Sequence, residues 1–358
     1  MKILHVITSL RIGGAEKLMV DLLPRMKEAN HHVELCVFDG TDTPFYEQLE
    51  RVGIRINWFH KGGSVYNPLN IYRLWRLMRQ GWDIVHTHNT APELFAAIAR
   101  LCCSTHLVTT EHSTSNRRRT LWWYAPIDRW MFRLYDSVIC ISDQSLENHC
   151  QHMGEKESKN TSIIYNGIDY NKYNSAKPTP DVRDLALRII TNVAGFRAPK
   201  DQPTLIRSLK TLPEIFHLCL VGDGDRRTEY ETLVKDLNLE QRVHLLGLRS
   251  DVPEVLAASD YVVMCSHYEG LSLSSLEGMS SGKPFLADDV DGLREIVTGH
   301  GVMFDHEDAQ GFADAILKLD SDKEYCEQII KQCQAKAANY DISIMVGKYL
   351  DVYKKIIV

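Results

Sequence analysis

Short apolar runs alternate along this chain with longer stretches in which apolar residues recur every three or four positions. The runs at residues 2–8, 33–38, 54–58, 84–88, 107–110, 138–142 and 162–165 have the length and composition of buried strands. Residues 15–29, 43–52 and 67–80, and a stretch ending near 153, carry helical spacing instead. Strands alternating singly with helices predict a parallel sheet covered on both faces. The rhythm breaks at IIYNGIDYNKY and the Pro- and Lys-containing run 175–180, which reads as a linker. It then restarts, with strands expected at 187–194, 218–222, 243–246, 261–265, 285–287 and 301–304, and amphipathic helices at 309–318, 323–339 and 342–356. The expected class is α/β with two Rossmann-like domains, residues 1–175 and 176–340, followed by a last helix in 341–358.

Ligands of such sheets sit beyond the carboxyl ends of the strands. The run 266–284, SHYEGLSLSSLEGMSSGKP, follows one of them and is the most informative stretch. Gly270 makes a turn, and Ser272 to Ser275 open a helix, serine being a good N-cap. Backbone N–H groups at Leu271, Ser272 and Leu273 then suit a diphosphate. Glu269 precedes this helix start and Glu277 falls in its second turn, with seven residues between them. Carboxylates accept hydrogen bonds from vicinal hydroxyls, so two acids flanking one diphosphate suggest a nucleotide with a sugar at each end. The competing reading is a pair of glutamates that only favour the helix dipole.

Other strand ends add candidates. Gly13 and Gly14 lie between the first strand and first helix, but the G-x-G-x-x-G fingerprint is absent, which disfavours a dinucleotide cofactor. His86 and His88 share one face of a strand, and Glu111 and His112 follow the next. Two readings stand: a metal pair completed by Glu111 or His112, or one packed histidine and one lining a cleft. Arg197 and Lys200 follow the strand at 187–194, where cations neutralise a diphosphate leaving group or simply line a solvated loop. The segment 116–138, NRRRTLWWYAPIDRWMFRLYDSV, also reads in two ways. It is a helix packing its aromatics inward, or an interfacial segment whose arginines meet anionic lipid head groups.

Composition narrows the classes. The 358 residues are 44% hydrophobic and 25% charged, an ordinary globular balance long enough for two cores. A net charge of −6 argues against a general nucleic-acid binder. Nine cysteines without a C-x-x-C pair read as reduced thiols of a cytosolic protein. MKILHVITSL reads as a first strand, not a signal peptide. The most apolar helical stretch, 94–103, is interrupted by Arg100 and too short to span a bilayer, so no transmembrane segment is expected.

The 266–284 stretch resembles the paired-glutamate signature of retaining glycosyltransferases of family 4, which have the GT-B fold and more often read EGFGLPLLEAMACGxP. GGAE at 13–16, DIVHTHN at 83–89, TTEHS at 109–113 and NGID at 166–169 extend the resemblance over nearly the whole chain. It implies two Rossmann-like domains facing across a cleft, the donor held mainly by the second, and a last helix crossing back to the first. By the resemblance, Glu269 and His112 reach the transferred sugar and Glu277 the ribose. Gly13 and Gly14 let the backbone approach the donor diphosphate. Lys200 matches the family lysine, whereas Gly195 stands at the usual arginine position and Arg197 is expected to substitute for it. Gly222, Gly270, Leu271, Ser272 (where glycine is commoner) and Leu273 border the donor, and Leu248 and Arg249 the base. Glu16, His88, Glu111 and Arg117 are assigned to the acceptor.

The implied activity is retaining transfer of a hexose from a nucleotide-sugar, uridine first and guanosine second, to a hydroxyl of a glycan or lipid-linked acceptor in surface polysaccharide synthesis. No metal or other cofactor and no nucleic acid is implied. A cytoplasmic protein is expected from the thiols and the lack of a membrane span, and the Arg- and Trp-rich stretch 116–138 motivates peripheral contact at the inner membrane face. The alternatives are a GDP-mannose-dependent mannosyltransferase, a nucleotide-sugar epimerising or binding protein on the same fold, and a metal-dependent hydrolase using His86, His88 and His112.

Overall fold

The computed structural model describes residues 1–11, 13–112, 124–153, 160–269 and 271–357. Contacts divide the chain into two compact units, Met1–Gly167 with Ile342–Val358, and Ile168–Asp341. Both crossings are local: the first falls inside NGID, the second just before the last helix.

The first unit holds seven parallel strands among the described residues. They are β1 (Lys2–Ser9), β2 (His32–Asp39), β3 (Arg55–His60), β4 (Ile84–His88), β5 (His106–Glu111), β6 (Ser137–Cys140) and β7 (Thr161–Ile163), in the order β3-β2-β1-β4-β5-β6-β7. Strand order reverses between β1 and β4, where a doubly wound sheet opens its ligand crevice. Alternation along β1 divides its side chains between two cores. Ile3 and Ile7 join a cluster with Leu18, Leu22, Tyr349 and Tyr353, while Leu4 and Val6 join one with Phe38, Leu74 and Phe95. Tyr349 and Tyr353 belong to the helix Ile342–Ile357, which therefore covers the first face, as the fold resemblance implied.

The second unit holds β8 (Arg188–Val193), β9 (Phe216–Val221), β10 (Val243–Gly247), β11 (Tyr261–Met264), β12 (Phe285–Asp288) and β13 (Val302–Phe304). Their order is β10-β9-β8-β11-β12-β13, all parallel, with the reversal between β8 and β11. Two Rossmann-like α/β units of this kind are the GT-B architecture.

Several boundaries differ from the pattern-based expectation. The helix expected at 94–103 is Thr90–Arg100, because Asn89, with φ 71°, turns the chain directly out of β4. The run read as a linker is partly structured: Tyr170–Asn174 and Pro180–Arg183 are short helices, and Tyr173 is buried. In the 116–138 segment, the helix Ala125–Phe132 buries Met131 and Phe132 but exposes Trp130 and Ile127. Arg117, Arg118, Arg119, Trp122 and Trp123 lie outside the described residues.

Candidate active site

In the second unit, the loop after β8 is laced to the segment after β11. The Asp201 N–H donates to the Cys265 carbonyl at 3.1 Å and the His267 N–H to the Pro199 carbonyl at 2.8 Å, and Lys200 pairs with Ser266 in an isolated antiparallel bridge. This lacing sets the Lys200 ammonium against the Glu269 carboxylate. Ser266 Oγ lies 3.3 Å from the same carboxylate oxygen. The Ser266 N–H is in turn received by both oxygens of Asp288 at 3.1 and 3.2 Å. Asp288 ends β12 fully buried, and burial raises its carboxyl above the usual range against the opposing pull of His306 and the Ser266 N–H.

Beyond Glu269 the chain enters the helix Leu273–Ser280. Ser272 is its N-cap, accepting from the Ser275 N–H at 3.3 Å, as the serine pattern predicts. The N–H groups ahead of Ser275 in this first turn have no intrahelical acceptors and carry partial positive charge. Glu277 lies buried in the second turn. Gly270 lies outside the described residues.

The other donor candidates gather at neighbouring strand ends. Gly222, with φ 144°, donates to the Gly247 carbonyl at 2.9 Å, and a Cβ there would sit 2.1 Å from the Ala194 carbonyl oxygen. Only glycine allows β8, β9 and β10 to end this close together. Leu248 follows, strongly exposed. The Arg249 guanidinium is turned to Asp181 and Asp251, at 2.7 and 2.6 Å, so this segment offers a ligand its backbone and not that side chain. Arg197 is exposed, and its Nε lies 3.6 Å from where a Gly195 side chain would begin. Among the described residues its guanidinium has no hydrogen-bond or ion-pair partner, and it lies beside Gly195, which holds the usual arginine position.

The first unit gathers its candidates at the ends of β1, β4 and β5. Parallel register sets His5 beside His86, and His86 and His88 stack with ring centroids 4.4 Å apart. His88 bonds outward through Nδ1 to His112 Nε2 at 2.8 Å and inward through Nε2 to His5 Nδ1 at 3.0 Å. His86 bonds Tyr353 at 2.5 Å and Thr110 at 2.7 Å. Burial holds all four neutral: His112 is lowered to about 4, His5 to about 3, and His86 and His88 well below their usual value. His5, His86 and His88 lie close enough to share a metal, yet both ring nitrogens of His86 and of His88 are already in hydrogen bonds. Both rings are fully buried, and of the two only His88 connects to His112 at the end of β5. Glu111 is buried at the end of β5.

The helix Gly14–Glu28 starts at Gly13, over which the Glu16 carboxylate folds back so closely that a Cβ would meet it at 2.3 Å. Burial raises the Glu16 carboxyl, opposed by hydrogen bonds from its own N–H and from Asn89. Asn89 also donates to Thr8 Oγ1 at 3.1 Å.

Residues 12–172 match the profile of Glycosyltransferase Family 4, and residues 181–336 that of Glycosyl transferases group 1. The chain belongs to the family 4 glycosyltransferases. Among relatives of this glycosyltransferase, the Escherichia coli UDP-Gal:alpha-D-GlcNAc-diphosphoundecaprenol alpha-1,3-galactosyltransferase is 27% identical, aligned over 100% of this chain and 98% of that protein. The Bacillus anthracis N-acetyl-alpha-D-glucosaminyl L-malate synthase is 29% identical over 87% of this chain and 86% of that one. A crystal structure of Anabaena Alr3699/HepE in complex with UDP superposes with a TM-score of 0.83 at 25% identity, covering 99% of this chain and 100% of that one.

Lys200, Glu269, Glu277, His88 and His112 stand out as candidates in the sequence, whereas His5, Asn89, Ser266 and Asp288, which hydrogen-bond to or beside them, do not. His5 interrupts the apolar run of β1, and Asp288 ends the FLAD strand. A polar residue inside an otherwise buried strand was the signal available for both.

Proposed function

We propose that this glycosyltransferase transfers a hexose from a UDP-sugar, with retention of configuration, to a hydroxyl of a diphosphate-lipid-linked glycan in surface polysaccharide synthesis. The observation that carries this is the Lys200–Glu269 pair beside the N-terminus of Leu273–Ser280, with Glu277 buried in the next turn. Support for the donor and acceptor classes comes from the E. coli relative, by name a UDP-Gal-dependent galactosyltransferase acting on a diphosphoundecaprenol-linked sugar, and from UDP in the HepE complex.

In this reading the first-turn amides, Lys200 and Arg197 take the charge that develops on the departing diphosphate, the electrostatic contribution that is usually largest. The bond from the anomeric carbon to the diphosphate oxygen breaks, and a bond to the acceptor oxygen forms. The acceptor proton passes to a phosphate oxygen of the leaving group on the same face. Glu269 and His112 hold the sugar, Glu277 the ribose, and Glu16, His88, Glu111 and Arg117 serve the acceptor. Gly13, Gly14, Gly195 and Gly222 give the backbone its close approach, and Leu248 and Arg249 offer main-chain groups to the base. Amides and cations supply the charge stabilisation, so the transfer needs no metal ion. No helix among the described residues is long and apolar enough to cross a membrane. Peripheral action at the cytoplasmic membrane face is part of the same proposal.

The test is a thermal-shift screen against UDP, GDP, ADP and their hexose conjugates, with Glu277→Ala as control, followed by transfer assays on diphosphate-lipid-linked acceptors. Ligand at about 100 times its Kd adds roughly 2.7 kcal/mol, a shift of a few degrees for a chain of this size. A shift with the uridine compounds that the variant loses, followed by α-configured product, is expected. A shift confined to GDP compounds would move the donor to guanosine, and none at all would remove the reading.

A further inference from the structure

A second cluster of ligating side chains borders the Lys200–Glu269 site, where the segment after β11 meets the loop after β13. His267 Nδ1 lies 3.3 Å from His306 Nε2, and Glu307 Oε1 lies 3.5 Å from the first and 3.8 Å from the second. A point ~2 Å from all three atoms exists at the centre of this triangle, and that is the length of zinc–imidazole and zinc–carboxylate bonds. A carboxylate oxygen of Asp201 lies within 4.8 Å of a ring nitrogen of His267 and of one of His306.

The arrangement behind these atoms is that of a metal site. His306 Nδ1 lies 2.9 Å from Asp288, fully buried at the end of β12. A ring that donates Nδ1–H to a carboxylate is fixed in orientation and presents the lone pair of Nε2 outward, the usual support of a zinc-bound histidine. Glu307 occupies the left-handed region at φ 59°, a conformation that non-glycine residues adopt at a cost, and it directs its carboxylate at both rings. The imidazoles are about a third exposed, at 35% and 33%, so an ion reaches them from solution.

We propose that His267, His306 and Glu307 bind one zinc ion, with Asp288 as the residue that positions His306 and the fourth place open to Asp201 or water. Two imidazoles and a carboxylate suit zinc better than magnesium or calcium, which prefer oxygen ligands. The ion would tie the loop after β13 to the segment two residues before Glu269, a stabilising role separate from transfer.

The experiment uses the full chain without a polyhistidine tag, stripped with EDTA and dialysed against micromolar zinc, with bound metal measured by elemental analysis. One zinc per chain is expected, and His267→Ala/His306→Ala should weaken binding at least about 100-fold. Asp288→Asn should weaken it about 10- to 100-fold, the usual effect of losing such a support. Zinc should raise the melting temperature of the wild type and not of the double variant, while transfer persists in EDTA. Substoichiometric zinc in the wild type would overturn the proposal. Stoichiometric zinc retained by the double variant would do so too, placing the ion at His5, His86 and His88 or on thiols. Loss of transfer in EDTA would count against the metal-free transfer reading and leave the stoichiometry to decide this one.

Discussion

Nδ1 of His88 lies 2.8 Å from Nε2 of His112, which makes these two strand-end histidines part of one proton-sharing chain. The chain continues inward from His88 Nε2 to His5 Nδ1 at 3.0 Å. Each neutral ring carries one N–H, and the two bonds use one each. The third N–H therefore sits at an end, on His112 Nδ1 or on His5 Nε2. His5 Nε2 is buried without a partner among the described residues, and a buried N–H lacking an acceptor is rarer than a buried lone pair. His112 is thereby set as an Nδ1–H donor, suited to a sugar oxygen. Nitrogen-15 NMR of the histidines should show His112 protonated at Nδ1 at neutral pH. An Nε2–H tautomer would reverse the chain and contradict this assignment.

Keeping these rings neutral ties stability to pH. His5, His86 and His88 are fully buried with lowered pKa values, His5 at about 3. Below about pH 6.5 the unfolded chain protonates these side chains and the folded chain does not, so the unfolded state binds more protons. Stability is complete above that value and is lost as pH falls toward the folded pKa values. Each histidine contributes about 1.4 kcal/mol per pH unit once its unfolded form is fully charged. Denaturant unfolding from pH 7.5 to 5 should show this decline, reduced in His5→Phe. A pH-independent midpoint would mean that the rings are already solvated.

The alternating pattern made the two sheets legible because each strand and helix is a local matter of spacing. It also made Glu269 and Glu277 legible, since both lie in one strand-turn-helix. The Lys200–Glu269 contact joins residues 69 apart, and His5 meets His88 across 83. Such contacts depend on strand order and register, which periodicity does not carry. The family resemblance implied a role for Lys200 and Glu269 but not for His5. Asn89 escaped for a different reason: its positive φ is a backbone property that an asparagine permits without announcing.

Gly222 supplies a test of the strand-end packing by itself. An alanine there would need φ 144° and would place its Cβ 2.1 Å from the Ala194 carbonyl oxygen, which belongs to rigid backbone. Relief requires β8 and β9 to part at the ends that bear the donor candidates. Gly222→Ala should destabilise the chain by about 2 kcal/mol or more and weaken UDP binding. An unchanged melting temperature would show that the ends separate freely.

Lys200 and Glu269 should separate in their effects on UDP. Their ion pair is about four-fifths buried, so each charge is held by the other until a donor arrives. On the proposed reading a diphosphate would compete for the ammonium and so free the carboxylate to accept sugar hydroxyls. Removing the lysine takes away phosphate attraction in both ground and transition states, so Lys200→Ala should weaken UDP binding and lower turnover by at least about 100-fold. Removing the negative charge frees the ammonium beforehand. Glu269→Gln should therefore bind UDP no more weakly than wild type while losing a similar factor in turnover. Calorimetry with UDP and initial rates of transfer distinguish the two roles. Equal weakening of UDP binding in both variants would show that the intact pair, and not the ammonium alone, holds the diphosphate.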